Sequence, residues 1–337
     1  MSARRKQPPR NAKTVSATET TIKSTMDIQT PNDSIFAHPL LPTQTEAILL
    51  SLYPATLILG SLFTTLSPPL SNSTYSPTHQ SYQPAAFAPS YFAQKRNIFN
   101  VYFVKLGWLW TTFALLVFLF THPAHGRPLS LAPTAQRLRA LARWTAATGL
   151  WYLTTQWCFG PALIDRSFVL SGGACALRAA DKRGDIEISK IKSASSAVQC
   201  KIAGGTWSGG IDISGHVFLL VLASALLWLE VLPVVLRARG LREDRTVRDD
   251  DGTVIHAVPE GQAEREKAEV EVSGWGVKFV VGVVALMWWM LLMTAAFFHT
   301  WSEKLMGLIV AFTGVWAIYF LPRGVPAVRQ ILGMPGL

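Results

Sequence analysis

Two histidines stand where polar side chains are costly. His216 closes the segment Ile211-Asp212-Ile213-Ser214-Gly215-His216 and opens directly into apolar Val217–Leu222, and His299 follows the apolar run Trp275–Phe298. An ionisable residue at the mouth of a membrane span is a functional suspect by default. Two such imidazoles could form a catalytic pair, since a neutral ring is a nucleophile and one titrating near neutral pH can protonate a leaving group. Lys105, near the start of another apolar run, adds a positive charge for developing oxyanions. Each residue also has a plainer reading. A boundary histidine can bond headgroups, and a lysine there can snorkel to them.

The elements that must position these residues are long apolar runs. The chain has 337 residues, 50% hydrophobic and only 15% charged. Ala47–Leu66, Ile98–Thr121, Leu138–Leu163, Ile213–Leu236, Trp275–Phe298 and Lys304–Leu321 each reach or approach the ~20 residues that cross a bilayer core. This predicts an all-α polytopic membrane protein of about six transmembrane helices. The first run is interrupted by Pro54, and the third is diluted by Thr145, Thr148, Thr154, Thr155 and Gln156. The net charge of +10 fits basic loops on the cytosolic side better than a nucleic-acid partner. No spacing of cysteines or histidines suggests a metal site.

With the basic amino terminus in the cytosol, the crossings define a domain at residues 46–322. It is preceded by a disordered cytosolic tail (1–45) and followed by a short cytosolic tail (323–337). Segments 67–97 and 165–212 become lumenal loops and 237–273 a cytosolic loop, with 242–271 read as solvated chain that could hold a short exposed helix. His216 then begins the fourth span and His299 ends the fifth, which puts both on the lumenal face. Lys105, one turn into the second span, lies at their level. Cys175 and Cys200 share a lumenal loop and could pair in an oxidising compartment. Cys158 reads as a buried apolar residue. Asn72 begins a lumenal sequon close to a span, and Asn32 a cytosolic, unused one.

Three segments carry a resemblance: Asn97-Ile-Phe-Asn-Val-Tyr-Phe-Val-Lys105, Asp212-Ile-Ser-Gly-His-Val-Phe-Leu-Leu220 and Phe298-His-Thr-Trp-Ser-Glu-Lys-Leu-Met-Gly307. Over about Asn97–Phe320 the chain resembles the fat storage-inducing transmembrane (FIT) family, including its fungal members, a family related to lipid phosphate phosphatases. The resemblance implies an endoplasmic-reticulum membrane enzyme that hydrolyses the diphosphate of fatty acyl-CoA at the lumenal face. The products would be acyl 4′-phosphopantetheine and adenosine 3′,5′-bisphosphate, with a role in lipid-droplet formation and membrane-lipid homeostasis. The family's catalytic histidines fall on His216 and His299. By analogy with the phosphatases, His216 is the general acid and His299 the nucleophile, although the two roles could be exchanged. Ser214, Gly215 and the start of the fourth helix would hold phosphate oxygens, and Lys105 would add charge.

Asn100, Asp212 and Glu303 are possible supports. Glu303 could orient His299 as a carboxylate partner, or close a capping box from Thr300; Asp212 could serve the site or the helix end. The scheme needs no metal and no cofactor. One departure matters. The phosphatases place an arginine shortly before the nucleophilic histidine, whereas Met293–Phe298 contains none. Arg127-Pro128 falls on the opposite face from Lys105. A phosphate clamp must therefore be weaker, or built from Lys105 and lumenal residues such as Lys201. The competing expectation is a non-enzymatic protein that binds diacylglycerol or triacylglycerol to seed droplets. A small-solute transporter is disfavoured by the lack of internal repeats.

Overall fold

The computed structural model describes residues 38–67, 81–82, 90–156, 161–180, 186–191, 195–238, 245–257 and 274–336. The amino-terminal tail to residue 37, the sequons at Asn32 and Asn72, Cys158 and residues 258–273 of the loop expected to be cytosolic lie outside them.

Helix α1 (Gln44–Leu66) begins with a capping box. The Thr43 hydroxyl accepts from the Glu46 N–H, and the Glu46 carboxylate accepts from the Thr43 N–H. It runs unbroken through Pro54, contrary to the interruption expected there. Proline is tolerated in membrane helices because other groups re-satisfy the freed carbonyl. The second expected span is in two parts. A π-helical turn, Phe99–Val104, leads through Lys105 and Leu106 into α2 (Gly107–Thr121).

The third expected span is corrected. No single helix covers Leu138–Leu163: α3 occupies Ala135–Thr155, starting on the Thr134 hydroxyl, and α4 occupies Leu163–Leu170. The buried Arg137 of α3 spends its guanidinium on the carbonyls of Leu119, Arg127, Ser130 and Ala132. Arg143 pairs with Glu230 at 2.5 Å, both inside the protein. With Ala140, Ala147 and Thr154 they form the one buried face of α3, while Leu138, Tyr152 and Leu153 are exposed, so α3 packs at the periphery of the bundle.

After α3 come α4, β1 (Ala174–Ala180), β2 (Ile186–Ile191), α5 (Ala197–Ile202) and β3 (Thr206–Ser208). The strands form an antiparallel sheet of order β2-β1-β3, and a Cys175–Cys200 disulfide ties α5 to it. A second small sheet is the hairpin β4 (Arg245–Arg248) and β5 (Val254–Ala257). Both sheets occupy segments expected to be loops. Their strands are short, and turn residues such as Asp249 and Gly252 outweigh any alternation of apolar residues.

The remaining helices are α6 (Gly215–Ala238), α7 (Trp275–Phe297) and α8 (Trp301–Val315). A π turn, Trp316–Phe320, carries α8 into α9 (Leu321–Gly324), and α10 (Pro326–Leu332) follows. Among the described residues, Gln44–Leu66, Gly215–Arg237, Trp275–Phe297 and Trp301–Gly324 are helical, long and apolar enough to cross a membrane; Gly107–Thr121 is a shorter apolar helix. The chain is thus an all-α, multi-pass membrane protein with four clearly apolar long helices. The other two expected crossings, at Ile98–Thr121 and Leu138–Leu163, do not meet that length and composition.

Helix α6 is the axis of the core. It is packed against α1, α2, α3, α7 and α8, which is why it is mostly apolar on every side, with buried Ser224 and Glu230 as exceptions. Helix α1 instead leaves Ile48, Leu52, Leu59, Leu62 and Phe63 exposed, the lipid-facing surface of a peripheral span. A buried bond between Tyr53 and Ser224 at 2.8 Å joins the two.

Candidate active site

The site forms where α6 starts and α7 ends. Ser214 is fully buried and caps α6, its hydroxyl accepting from the Val217 N–H at 3.3 Å. Its own N–H donates to the Glu303 carbonyl at 3.1 Å, so the entrance of α6 is tied to the first turn of α8. Close approach there depends on Gly307, where a Cβ would lie 2.8 Å from the Ser214 carbonyl oxygen. This junction brings the rings of His216 and His299 to 6.0 Å between centroids, inclined by 48°.

Each ring has a different partner. His216 Nε2 meets Asn100 Oδ1 at 3.0 Å. The Asn100 amide nitrogen donates to the Lys95 carbonyl at 2.7 Å, which turns its oxygen toward the imidazole. Nε2 is then the protonated nitrogen, and Nδ1 is left to exchange a proton. The π turn makes this contact: its wide i→i+5 bond, from Lys105 N–H to the Asn100 carbonyl, replaces a regular α turn. Such turns recur at functional sites. Asn97 starts it, its side-chain oxygen accepting from the Asn100 N–H at 2.8 Å.

His299 bonds through Nδ1 to Glu303 Oε2 at 2.9 Å, which leaves Nε2 as the free ring nitrogen. The same carboxylate oxygen accepts from the Thr300 N–H at 3.1 Å and completes the capping box of α8. The two alternatives for Glu303 are therefore one structure. His299 itself has a left-handed backbone, φ 59°, which is unfavourable for a residue with a Cβ. The Ser81–Phe298 bridge on one side and the capping box on the other hold it there.

A small cavity of about 20 Å³ lies between the histidines, the volume of one water. Its lining is mixed, with polar Lys95, Asn97, Asn100 and Thr294 and apolar Phe92, Met290, Met293 and Phe298. A larger phosphate substrate enters only as these side chains move apart.

Lys95 and Asn97 were not singled out from the sequence. The available signal was Asn97-x-x-Asn100 opening an apolar run, a helix-start pattern, with a lysine just before it. Burial, then the charges of Lys105 and Lys201, push the Lys95 ammonium below the usual lysine value, while Glu303 pulls it upward.

The other expected residues lie elsewhere. Lys105 is exposed, at the end of the π turn, and does not line the cavity; its charge, like that of Lys201, is felt by Lys95. The Ser214 hydroxyl is engaged in capping. A Cβ at Gly215 would meet only Ile164, at an ordinary 3.8 Å, so no close approach requires a glycine there. Asp212 accepts from the Ile213 N–H at 2.8 Å and does not line the cavity. No group of three or more His, Cys, Asp or Glu suited to a metal occurs among the described residues.

The structure is that of a multi-pass membrane protein with a differently partnered histidine pair at one end of its apolar helical bundle. The family model for fat storage-inducing transmembrane protein matches residues 88–319. The chain belongs to that family. It is 31% identical over 291 residues to acyl-coenzyme A diphosphatase fit1 of Schizosaccharomyces pombe, covering 86% of this chain and 90% of that one. It is 30% identical to acyl-coenzyme A diphosphatase FITM2 of Mus musculus and 28% identical to the Homo sapiens FITM2. Each of those matches covers 231 residues, 68% of this chain and 72% of the relative. No solved structure matches the chain.

Proposed function

We propose that this protein is an acyl-CoA diphosphatase of the endoplasmic-reticulum membrane, acting at the lumenal face on the diphosphate of fatty acyl-CoA. The observation that carries the reading is the histidine pair, one ring on a carboxylate and the other on an amide, around a small cavity that Lys95 also lines. The names of the relatives supply the substrate class.

His299 is the nucleophile. Glu303 holds Nδ1–H and balances the positive charge that the ring acquires, while Nε2 attacks phosphorus. A P–N bond forms as the anhydride P–O bond breaks, and His216, entering the step as the imidazolium, gives its Nδ1 proton to the departing phosphate oxygen. Water then attacks the phosphohistidine, giving up a proton to His216 as the P–N bond breaks. One water is consumed, and the products are acyl 4′-phosphopantetheine and adenosine 3′,5′-bisphosphate. Lys95 neutralises phosphoryl oxygens in the place first assigned to Lys105. The scheme needs no metal or cofactor.

The Cys175–Cys200 disulfide supports a lumenal placement of this face, because such bonds persist in oxidising compartments. That orientation leaves both termini in the cytosol. Membrane lipids are the surroundings and acyl-CoA the substrate, in support of lipid-droplet formation and membrane-lipid homeostasis. The test is hydrolysis of a long-chain acyl-CoA by the purified full chain and by His216→Ala and His299→Ala. Both variants are expected to lose almost all activity. Full activity in either would remove it from the chemistry. A wild-type protein that binds diacylglycerol or triacylglycerol without hydrolysing acyl-CoA would establish the lipid-binding alternative.

A further inference from the structure

The opposite end of the bundle holds a second, larger cavity. Helix α6 separates the two ends by 24 residues, about 36 Å at 1.5 Å per residue. There the hairpin β4–β5, helix α10 and the carboxy-terminal segment border an open cavity of about 390 Å³ beside Arg139 of α3. Val247 and Met334 form a buried apolar floor. The charged lining is Arg139, Arg329 and Asp250, with Gln330 beside them.

The arginines at this end fall into two sets. Arg143 is spent on Glu230 and the Leu332 carbonyl, Arg245 on Glu46 and the Pro335 carbonyl, and Arg323 on Glu46. Arg237 is spent on the Gly336 carbonyl. These contacts clamp the carboxy-terminal segment and shape the wall of the cavity. The second set faces the cavity. Arg139 makes no hydrogen bond or ion pair among the described residues. Arg329 commits one nitrogen, Nη1, to the carbonyls of Arg248 and Arg323. A guanidinium has five donors, so the two retain most of theirs.

The Arg139 stem lies across Gly333, where a Cβ would come within 2.5 Å of Arg139 Cδ. That residue has φ 61°, so a side chain there would be both strained and in collision. The glycine lets the arginine reach the cavity along the backbone.

We propose that this cavity is an anion site that takes a phosphate group, held between Arg139 and Arg329, with Gln330 as a further donor. Planar guanidinium forks suit phosphate oxygens. The apolar floor suits the rest of an amphiphile whose headgroup lies at this membrane face. Asp250 opposes any anion and limits the affinity; it also gives hydroxyl groups on the ligand an acceptor. The site is separate from the histidine pair and does not depend on what that pair catalyses.

The test uses the full chain in nanodiscs of dioleoyl phosphatidylcholine, with and without dioleoyl phosphatidate, and with inorganic phosphate added to the phosphatidylcholine discs. The thermal unfolding midpoint is followed against ligand. Phosphatidate is expected to raise it, and Arg139→Gln and Arg329→Gln each to weaken the apparent affinity about tenfold, the effect of losing one charge-assisted contact. A rise from phosphatidate alone assigns the lipid source, and a matching rise from inorganic phosphate assigns a soluble one. Phosphate bound at the histidines is unaffected by these substitutions, so only the difference between wild type and variants counts. No rise from either ligand, or a rise undiminished in the double variant, overturns the site. Should the arginine variants fail to fold, Asp250→Asn decides: affinity is expected to rise several-fold, and unchanged affinity overturns the proposal.

Discussion

Replacing Glu303 by Gln separates two functions that one carboxylate performs. Glu303 Oε2 holds His299 Nδ1 at 2.9 Å and the Thr300 N–H at 3.1 Å. The amide oxygen of Gln can still accept a hydrogen bond, so the cap largely survives, but the negative charge beside the imidazole is gone. A hydrogen bond to a charged partner is worth about 1.5–3 kcal/mol and a neutral one about 0.5–1.5. The phosphorylated ring carries positive charge, so the loss falls on the transition state. A deficit of roughly 1–3 kcal/mol lowers kcat about 10- to 100-fold. Glu303 does not line the cavity, so KM should stay within about twofold for a group acting only through His299. The assay is steady-state release of adenosine 3′,5′-bisphosphate from a long-chain acyl-CoA, with thermal unfolding in parallel. Were Glu303 only a helix cap, the variant would keep its kcat and lose at most about 1 kcal/mol of stability. That outcome refutes the positioning role.

Three further outcomes follow from the geometry. Lys95→Ala is expected to raise KM about tenfold, as removal of one charged phosphate contact does. Because burial and its lysine neighbours depress Lys95, wild-type activity should fall with rising pH below the ordinary lysine range as the cation is lost. A Lys95→Arg variant should keep its activity to higher pH, and identical alkaline limits in the two would exclude Lys95 from the clamp. Gly307→Ala pushes a methyl group toward the Ser214 carbonyl oxygen, an overpacking cost of about 1–3 kcal/mol. It should lower both the unfolding midpoint and kcat by shifting α8, and an unchanged kcat would mean that the junction does not set the histidine spacing. His125 is buried, which pulls it from 6.5 down to about 4. Its neutral form stabilises the fold fully above pH 6.5, and that stability is lost as pH falls through about 4. The gap corresponds to roughly 3 kcal/mol. Unfolding measured from pH 7 to pH 4 should therefore be flatter in His125→Leu, and parallel curves would count against the assignment.

The parts legible in the sequence were those where one strong requirement dominates. Four runs read as spans are long apolar helices because lipid and an enclosed core both demand apolar side chains along their whole length. His216 and His299 stood out against that background, and the helices place them at one end of the bundle. Leu138–Leu163 reads as one apolar run, but its helix ends at Thr155 and carries Arg143 inside it, a charge that must be met from elsewhere in the chain. Arg143 finds Glu230 on α6, 87 residues away in sequence, and no local pattern announces such a partner. The same limit hid Lys95. Its neighbourhood, Gln94–Arg96, is polar loop sequence, and it joins the site only because the π turn swings Asn100 against His216.

Glu303 shows a different reason for incomplete reading. Its spacing from Thr300 and its spacing from His299 were each recognisable, and they stood as rivals because a helix cap and a catalytic partner normally use a carboxylate in different directions. The left-handed backbone at His299 removes the conflict. It turns the imidazole back over the first turn of α8, so that one oxygen serves the ring and the Thr300 N–H together. A conformation that costs on the order of 1–3 kcal/mol is thereby held by the same contacts that orient the nucleophile. Relaxing His299 to an ordinary backbone would break the bond to Glu303 and open the junction between α7 and α8. The strain is thus a property of the site, and it ties the position of His299 to the helix start rather than to the length of the loop.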